Sequence, residues 1–126
     1  QPFGTLSQGE RKKALLARAL MAAPELLIMD EPCAGLDLYE REKLLADLDR
    51  LGGMAKTVLY VTHHIEEAIP LFTHAAIVHD GRIAAAGPKR EVLTGETLSR
   101  AYDLPIEVDW VYDRPWIRTR GAGVRT

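Results

Sequence analysis

The chain alternates between short apolar runs and longer segments whose apolar residues recur at helical spacing. The first of these segments opens with Ser7 and Glu10, which have the Ser-x-x-Glu spacing of a helix capping box, and Pro24 marks its end. A second helix is predicted after Asp37, because this residue can cap it and Glu40 follows three positions later. The apolar stripe of this second helix consists of Leu44, Leu45, Leu48 and Leu51.

Two apolar runs flank the second helix and are typical of strands. Residues 26–30 are four apolar side chains followed by an aspartate, and residues 57–62 are rich in β-branched and aromatic side chains. A short run that is apolar throughout is typical of a strand buried on both faces, as in a parallel sheet. The first run therefore predicts a fully buried strand that ends in acidic residues.

Shorter elements are predicted for the second half of the chain. A short helix follows residue 64 and ends at Pro70. An Asp-Gly pair at 80–81, the preferred pair for a type I′ turn, joins two runs in a predicted hairpin. Residues 88–102 are expected to form two short helices broken at Thr94-Gly95. The alternation of strands and helices predicts an α/β layer fold.

Composition excludes several classes of protein. The length of 126 residues predicts one domain at most, and the net charge of −2 provides no bulk field for nucleic-acid binding. A single cysteine, Cys33, rules out an internal disulfide framework and fits a reducing compartment, and a redox role for it has no support. No apolar run approaches the ~18 residues that a membrane-spanning helix needs.

The segment 103–126 differs in character from the rest of the chain. It has an alternating apolar pattern at first and then becomes rich in arginine, with four acidic residues balanced by four arginines. We expect a tail that is solvated or loosely docked, and we expect no nucleic-acid partner, because its charges cancel and it is terminal.

The strongest chemical signal is the pair of carboxylates after the first strand. Ligands bind at the carboxyl ends of the strands in open α/β sheets, so Asp30 is placed to hold a metal ion and Glu31 to handle a proton. The plainer alternative is a buried strand that ends in a solvated acidic turn.

A second candidate site lies at the start of the first helix. Free backbone N–H groups and the positive end of the helix dipole favour an anion near Ser7 and Gly9, and glycine allows close approach of a phosphate. Alternatively, the capping box uses the Ser7 hydroxyl internally. Arg11, Lys12 and Lys13 add a positive field, or are simply the solvated face of the helix.

Histidines follow the second strand. His63 is placed at its carboxyl end, on the same sheet edge as Asp30, whereas His64 is expected to begin the next helix. Together with Glu66 and Glu67 they could suggest zinc, but two adjacent side chains do not easily face one metal.

Four of these segments resemble the motifs of ABC-transporter ATPase domains, in the family's order and spacing. Residues 6–10 resemble the signature motif, with Glu10 in place of the commoner glutamine, and residues 26–31 resemble the Walker B strand with its catalytic glutamate. Residues 34–37 resemble the D-loop, and residues 61–63 resemble the switch-histidine loop. The resemblance covers about residues 4–102, so we expect 1–102 to be the C-terminal portion of such a domain and 103–126 a tail of uncertain structure.

The resemblance implies a partial P-loop NTPase (RecA-like) α/β fold, with a mainly parallel sheet, a C-terminal β-hairpin and the signature helix of the helical subdomain. It implies an ATPase in which Asp30 binds Mg²⁺, Glu31 activates the attacking water and His63 contacts the γ-phosphate of ATP. The signature residues would act on ATP held by a partner subunit, and Asp37 would couple the two sites. These signature residues are Ser7, Gln8, Gly9 and Glu10.

The partners implied are transmembrane permease subunits and a second ABC ATPase domain in a head-to-tail dimer, at the cytoplasmic face of the cell membrane. The group it resembles most is the ATPases that import iron complexes and other metals. Two alternatives are a soluble ABC ATPase of the translation or DNA-repair type and a non-catalytic, truncated half-site protein.

One motif of the family is missing from the sequence. No Gly-x-x-x-x-Gly-Lys-Ser/Thr run occurs, so the loop that cradles the phosphates is absent. We expect roughly 100–130 upstream residues to complete an ordinary domain. In the family, the phosphate-loop strand lies between the strands that match 57–62 and 75–79. Without it, we expect a gap in the sheet, poor stability, weak ATP binding and no ATPase activity for these residues alone.

Overall fold

A computed structural model describes residues 7–119, and the chain divides after His63 into two compact units. The first unit, up to His63, is built from two helices, a parallel strand pair and a short 3₁₀ turn. In chain order these are α1 (Gln8–Met21), β1 (Leu26–Asp30), α2 (Leu38–Leu51), the turn Gly52–Met54 and β2 (Thr57–Val61). No helix among the described residues is long and apolar enough to cross a bilayer.

Local side-chain hydrogen bonds fix the starts of both long helices, as the sequence predicts. The Ser7 hydroxyl accepts the N–H of Glu10 at 3.1 Å, and the Glu10 carboxylate accepts the N–H of Ser7 at 2.9 Å, which completes the capping box. Asp37 caps α2 by accepting the N–H of Glu40 at 2.8 Å. Leu16 and Leu20 of α1 and the α2 leucines at 44, 45 and 48 are buried.

β1 and β2 pair in parallel, with register from Leu26 opposite Thr57 to Asp30 opposite Val61. The prediction that β1 is buried on both faces was wrong, because alternate residues of both strands are exposed. Four of them form an exposed apolar strip, whose members are Leu26, Ile28, Leu59 and Val61. The strand run is apolar throughout, yet only one of its faces is covered within this unit.

The second unit consists of one 3₁₀ turn, two hairpins and two short helices. In order these are the turn Ile65–Glu67, β3 (His74–His79), β4 (Arg82–Pro88), α3 (Lys89–Val92), α4 (Gly95–Tyr102), β5 (Ile106–Val111) and β6 (Arg114–Thr119). Asp80 and Gly81 both have positive φ, 52° and 72°, which confirms the predicted type I′ turn. The strands of this unit pair within its two hairpins, β3 with β4 and β5 with β6, both antiparallel.

Two local predictions for this unit need correction. The helix expected between residue 65 and Pro70 is a single 3₁₀ turn, too short to present a helical face. Residues 106–119 of the expected loose tail form the antiparallel hairpin β5–β6, whose turn is at Tyr112 and Asp113. Residues 120–126, with their two arginines, lie outside the described part of the chain.

The β5–β6 hairpin is docked by apolar packing and by charged hydrogen bonds. Ile106, Val108 and Trp110, the alternating residues noted in the sequence, pack against a buried cluster that contains Leu98. The guanidinium of Arg114 donates two hydrogen bonds to the backbone carbonyl of Glu66, at 3.0 and 2.6 Å. The hairpin is therefore part of the core of this unit.

The hairpin turn is held through Asp113. Its carboxylate accepts hydrogen bonds from Lys89 at 3.4 Å and Arg90 at 3.1 Å, and Lys89 is itself 5% exposed. Partial burial raises the pKa of Asp113, but the Arg90 hydrogen bond and the Lys89 charge lower it more, so the net shift is downward from 3.8.

The contact between α4 and β5 predicts that Gly95→Ala is destabilising. A Cβ atom at Gly95 would lie 2.7 Å from the carbonyl oxygen of Ile106, which is backbone and cannot move aside cheaply. We expect a loss of about 1–3 kcal/mol in the free energy of unfolding, measured by urea titration. Gly53→Ala is the matched control, since nothing lies within 4 Å of its added methyl group. Equal stability of the two variants would contradict the packing described.

The lowered pKa of Asp113 predicts a specific pH dependence. A carboxylate whose pKa is lower in the folded state stabilises the fold above its unfolded value, and this contribution disappears as the pH falls through the folded value. We expect Asp113→Asn to lower the melting temperature at about pH 7, and we expect this difference to close as the pH falls through the lowered pKa of the folded Asp113. The exposed Glu91→Gln is the control, and a difference that persists in acid would refute the assignment.

Candidate functional site

The carboxyl ends of β1 and β2 bring Glu31 and His63 together. Nε2 of His63 lies 3.0 Å from a carboxylate oxygen of Glu31, whose side chain is 30% exposed whereas that of His63 is 90% exposed. The Glu31 backbone is left-handed, with φ of 49°, and its N–H donates to the carbonyl of Val61 at 2.8 Å. Residues other than glycine adopt this conformation at a cost, and such strain is concentrated at functional sites.

Asp30, the last residue of β1, is exposed beside this pair. Among residues 7–119, no group of three or more His, Cys, Asp or Glu side chains could hold a metal ion, which removes support for the zinc alternative at 63–67. A lone carboxylate nevertheless suits Mg²⁺, because this ion is commonly bound by one or two carboxylates and completes its shell with phosphate oxygens and water. Asp30 therefore fits a magnesium ion that arrives with a nucleotide.

At the N-terminus of α1, the groups predicted to meet a phosphate already have hydrogen-bond partners within the chain. The Ser7 hydroxyl is used in the capping box with Glu10. The N–H of Gly9 donates to a carboxylate oxygen of Glu40 at 3.0 Å. The hydrogen bonds with Ser7, its backbone N–H first, lower the pKa of Glu10, with smaller contributions from Lys43 and Lys13. An incoming phosphate would have to displace the carboxylate of Glu40.

The side chain of Gln8 lies near Gly35, in the turn that joins β1 to Asp37. Gly35 has φ of 80°, and an added Cβ atom there would be 3.2 Å from the side-chain amide of Gln8. Asp37 caps α2, which is the plain role that the sequence also allowed. The signature-like and D-loop-like segments are thus neighbours within this unit.

Sequence reasoning missed the roles of Lys12 and Glu40. Lys12 is half-buried, and its ammonium donates to the backbone carbonyls of Pro32 at 2.6 Å and Ala34 at 2.9 Å, so it does not belong to a solvated face. Its spacing from Gly9 and Leu16, three and four residues, places it on the inward stripe of α1 and could have indicated this. In the sequence, Glu40 is only the residue three positions after the helix cap Asp37, and no sequence signal identifies its contact with Gly9.

Comparison with known proteins agrees with the motifs. A profile of the ABC transporter family matches residues 1–34. An uncharacterised ABC transporter ATP-binding protein of Bacillus subtilis, YlmA, is 49% identical over 91% of this chain and 44% of its own length. The molybdenum import ATP-binding protein ModC of Aromatoleum aromaticum is 44% identical over 79% of this chain and 27% of its own length.

Solved structures give the same result for the fold. A transporter described as a metal-chelate type ABC transporter, in an inward-facing conformation, matches with a TM-score of 0.73 at 26% identity, over 94% of this chain and 48% of that one. The ADP conformation of an ATP-binding cassette of an ABC transporter matches with a TM-score of 0.66 at 26% identity, over 79% of this chain and 40% of that one.

The sequence and the fold both match those of ABC transporter ATP-binding domains, whose fold is that of the P-loop NTPases. The chain spans less than half the length of these curated relatives and solved structures.

The left-handed backbone at Glu31 predicts an unusual order of stability between two variants. Both Glu31→Ala and Glu31→Gly remove the carboxylate and its contact with His63, but only glycine relieves the strain at a φ of 49°. We expect the glycine variant to be more stable than the alanine variant by about 1 kcal/mol in urea titrations, the reverse of the usual preference in regular structure. If alanine were equal or better, the strain assigned to this turn would be disproved.

Proposed function

We propose that this chain is the hydrolytic part of the ATP-binding subunit of an ABC transporter, and that the complete subunit couples ATP hydrolysis to solute transport. The observation that carries the proposal is the position of Glu31 at the end of β1. Its backbone is strained, and its carboxylate lies within hydrogen-bond distance of His63. The order of the motifs and the names of the relatives support a transporter ATPase over the soluble alternatives.

In this proposal, three side chains at the ends of β1 and β2 divide the work of phosphoryl transfer. Asp30 would hold Mg²⁺, which neutralises charge on the phosphates when bound. Glu31 would accept a proton from, or orient, the water that attacks the γ-phosphate. The imidazole of His63, oriented by its contact with Glu31, would donate to a γ-phosphate oxygen. This assignment requires mainly positioning and charge neutralisation from the protein.

The N-terminus of α1 would act at a second ATP site, not at the ATP site formed by this chain's own Asp30, Glu31 and His63. Ser7, Gln8, Gly9 and Glu10 would approach ATP held by a second ABC ATPase domain in a head-to-tail dimer, and Asp37 would link the two sites. Because Gly9 now donates to Glu40, closure of the dimer would exchange that carboxylate for a phosphate oxygen.

Transmembrane permease subunits would be the other partners, which would place the complete subunit at the cytoplasmic face of the membrane. The relatives named for molybdenum import and for metal-chelate transport favour a metal-containing solute that is imported. The phosphate-binding loop would come from outside the sequence described, since no such motif occurs in it.

The proposal predicts that Glu31→Gln in the complete protein slows ATP turnover but spares ATP binding. The amide keeps the shape of the side chain but cannot accept the proton, and general-base assistance contributes about 10²–10⁴-fold. We therefore expect turnover to fall by at least about 100-fold in a steady-state phosphate-release assay, with the affinity for ATP little changed.

Glu25→Gln is the matched control, since Glu25 lies just before the same strand and its side chain is 85% exposed. Turnover of the control should equal that of the wild type. Normal hydrolysis in the Glu31→Gln variant would refute the assignment of Glu31. A complete wild-type protein that never hydrolyses ATP would favour the non-catalytic alternative.

A further inference from the structure

In the turn that follows β1, two backbone carbonyls accept hydrogen bonds from backbone N–H groups of the same turn. The carbonyl of Glu31 accepts the N–H of Ala34 at 3.1 Å, and the carbonyl of Cys33 accepts the N–H of Leu36 at 3.1 Å. The two carbonyls between and after them, those of Pro32 and Ala34, point instead to the ammonium of Lys12. A side chain of α1 thus completes the hydrogen bonding of this turn.

The position of Lys12 on α1 makes this contact a specific one. The inward stripe of the helix contains Gly9, Leu16, Ala19 and Leu20, and Lys12 occupies the place where a further apolar residue would ordinarily pack. A half-buried ammonium needs hydrogen-bond acceptors to offset its lost hydration, and two backbone carbonyls provide them here. At this point of the helix, the charged side chain of Lys12 therefore holds the loop after β1 instead of packing in the core.

The loop that Lys12 holds begins at the carboxylate assigned to hydrolysis. An open cavity of about 260 Å³ lies between α1 and β1, and its lining includes Lys12, Asp30, Glu31 and Pro32. A second contact of this loop joins it to β2, where the Cys33 thiol lies 3.4 Å from the Tyr60 hydroxyl. The loop is therefore fixed from two directions, by a residue of α1 and by a residue of β2.

We propose that Lys12 is a positioning residue. By bonding α1 to the backbone that follows Glu31, it holds the Glu31 carboxylate in a fixed position relative to the N-terminus of α1, where Ser7 and Gly9 would meet a phosphate. The catalytic part of this inference rests on the proposed function, whereas the anchoring of the loop does not. Contact of α1 with a phosphate would be transmitted through Lys12 to the loop that begins at Glu31.

Labelling of the single cysteine tests the anchoring. Cys33 is 7% exposed and lies between the two carbonyls that Lys12 contacts, so its reaction with a thiol reagent reports opening of this loop in the 126-residue chain. We expect Lys12→Met, which keeps the aliphatic stem but removes the donors, to accelerate labelling by about 10-fold or more. Loss of a nearby positive charge alone would act in the opposite direction, because it disfavours the reactive thiolate.

Two further variants separate loop anchoring from general destabilisation. Lys13→Met removes the neighbouring ammonium, which pairs with Asp47 at 3.4 Å, and should label like the wild type. Lys12→Arg retains donors and should restore slow labelling. Circular dichroism confirms that each variant is folded under the labelling conditions. Slow labelling in Lys12→Met, or equally fast labelling in Lys13→Met, would overturn the anchoring role.

ATP hydrolysis by the complete protein tests the catalytic part. We expect Lys12→Met to lower kcat by about 10-fold with little change in KM for ATP, Lys12→Arg to recover most of the loss, and Lys13→Met to have no effect. Fast labelling with unchanged kcat would show that the contact is structural only and would overturn the positioning role. Absence of ATPase activity in the wild type would refute the proposed function instead, while labelling would still decide the anchoring.

Discussion

The left-handed backbone at Glu31 is the constraint on which the rest of the candidate site depends. The N–H of Glu31 still pairs with the carbonyl of Val61, as a continuing parallel strand would, but the left-handed φ of Glu31 sends the residues that follow it into a tight turn. The same conformation puts the carboxylate within 3.0 Å of His63. The strain is tolerated because both neighbouring segments, β2 and the Lys12 side chain, bond to this turn.

Carboxylates occupy the positive end of α1, and they lower the affinity that this end would have for a phosphate. Glu10 belongs to the capping box, and Glu40 reaches from α2 to the N–H of Gly9. Both satisfy N–H groups that would otherwise need water or an anion. In the proposed function, a phosphate therefore gains only the difference between its own contacts and those of the carboxylate it replaces, so its binding at this turn is weak until a second ABC ATPase domain supplies additional contacts.

Features that depend on a few neighbouring residues could be predicted from the sequence, and features that depend on distant ones could not. The capping box at Ser7 and the Asp80-Gly81 turn are set by interactions over three or four residues, and both are confirmed. The motif order also predicted the family and the α/β fold. By contrast, the loop contact of Lys12 and the contact of Glu40 with Gly9 join residues about 20 and 31 positions apart. No local pattern encodes such partners, and alternating residues of β5 were mistaken for part of a loose tail for the same reason.

The exposure of the apolar strip on β1 and β2 could not be predicted for the same reason, because it depends on distant residues. An apolar run predicts burial, but which surface buries it depends on residues that the run does not contain. Leu26, Ile28, Leu59 and Val61 are each 45–58% exposed, and burying such side chains fully contributes about 1.5–3 kcal/mol apiece relative to full exposure. Covering the strip would therefore add several kcal/mol, comparable with the total stability of a small domain. In the proposed function, the phosphate-binding loop comes from the part of the relatives' length that this chain does not span, and we expect the same part to cover this strip.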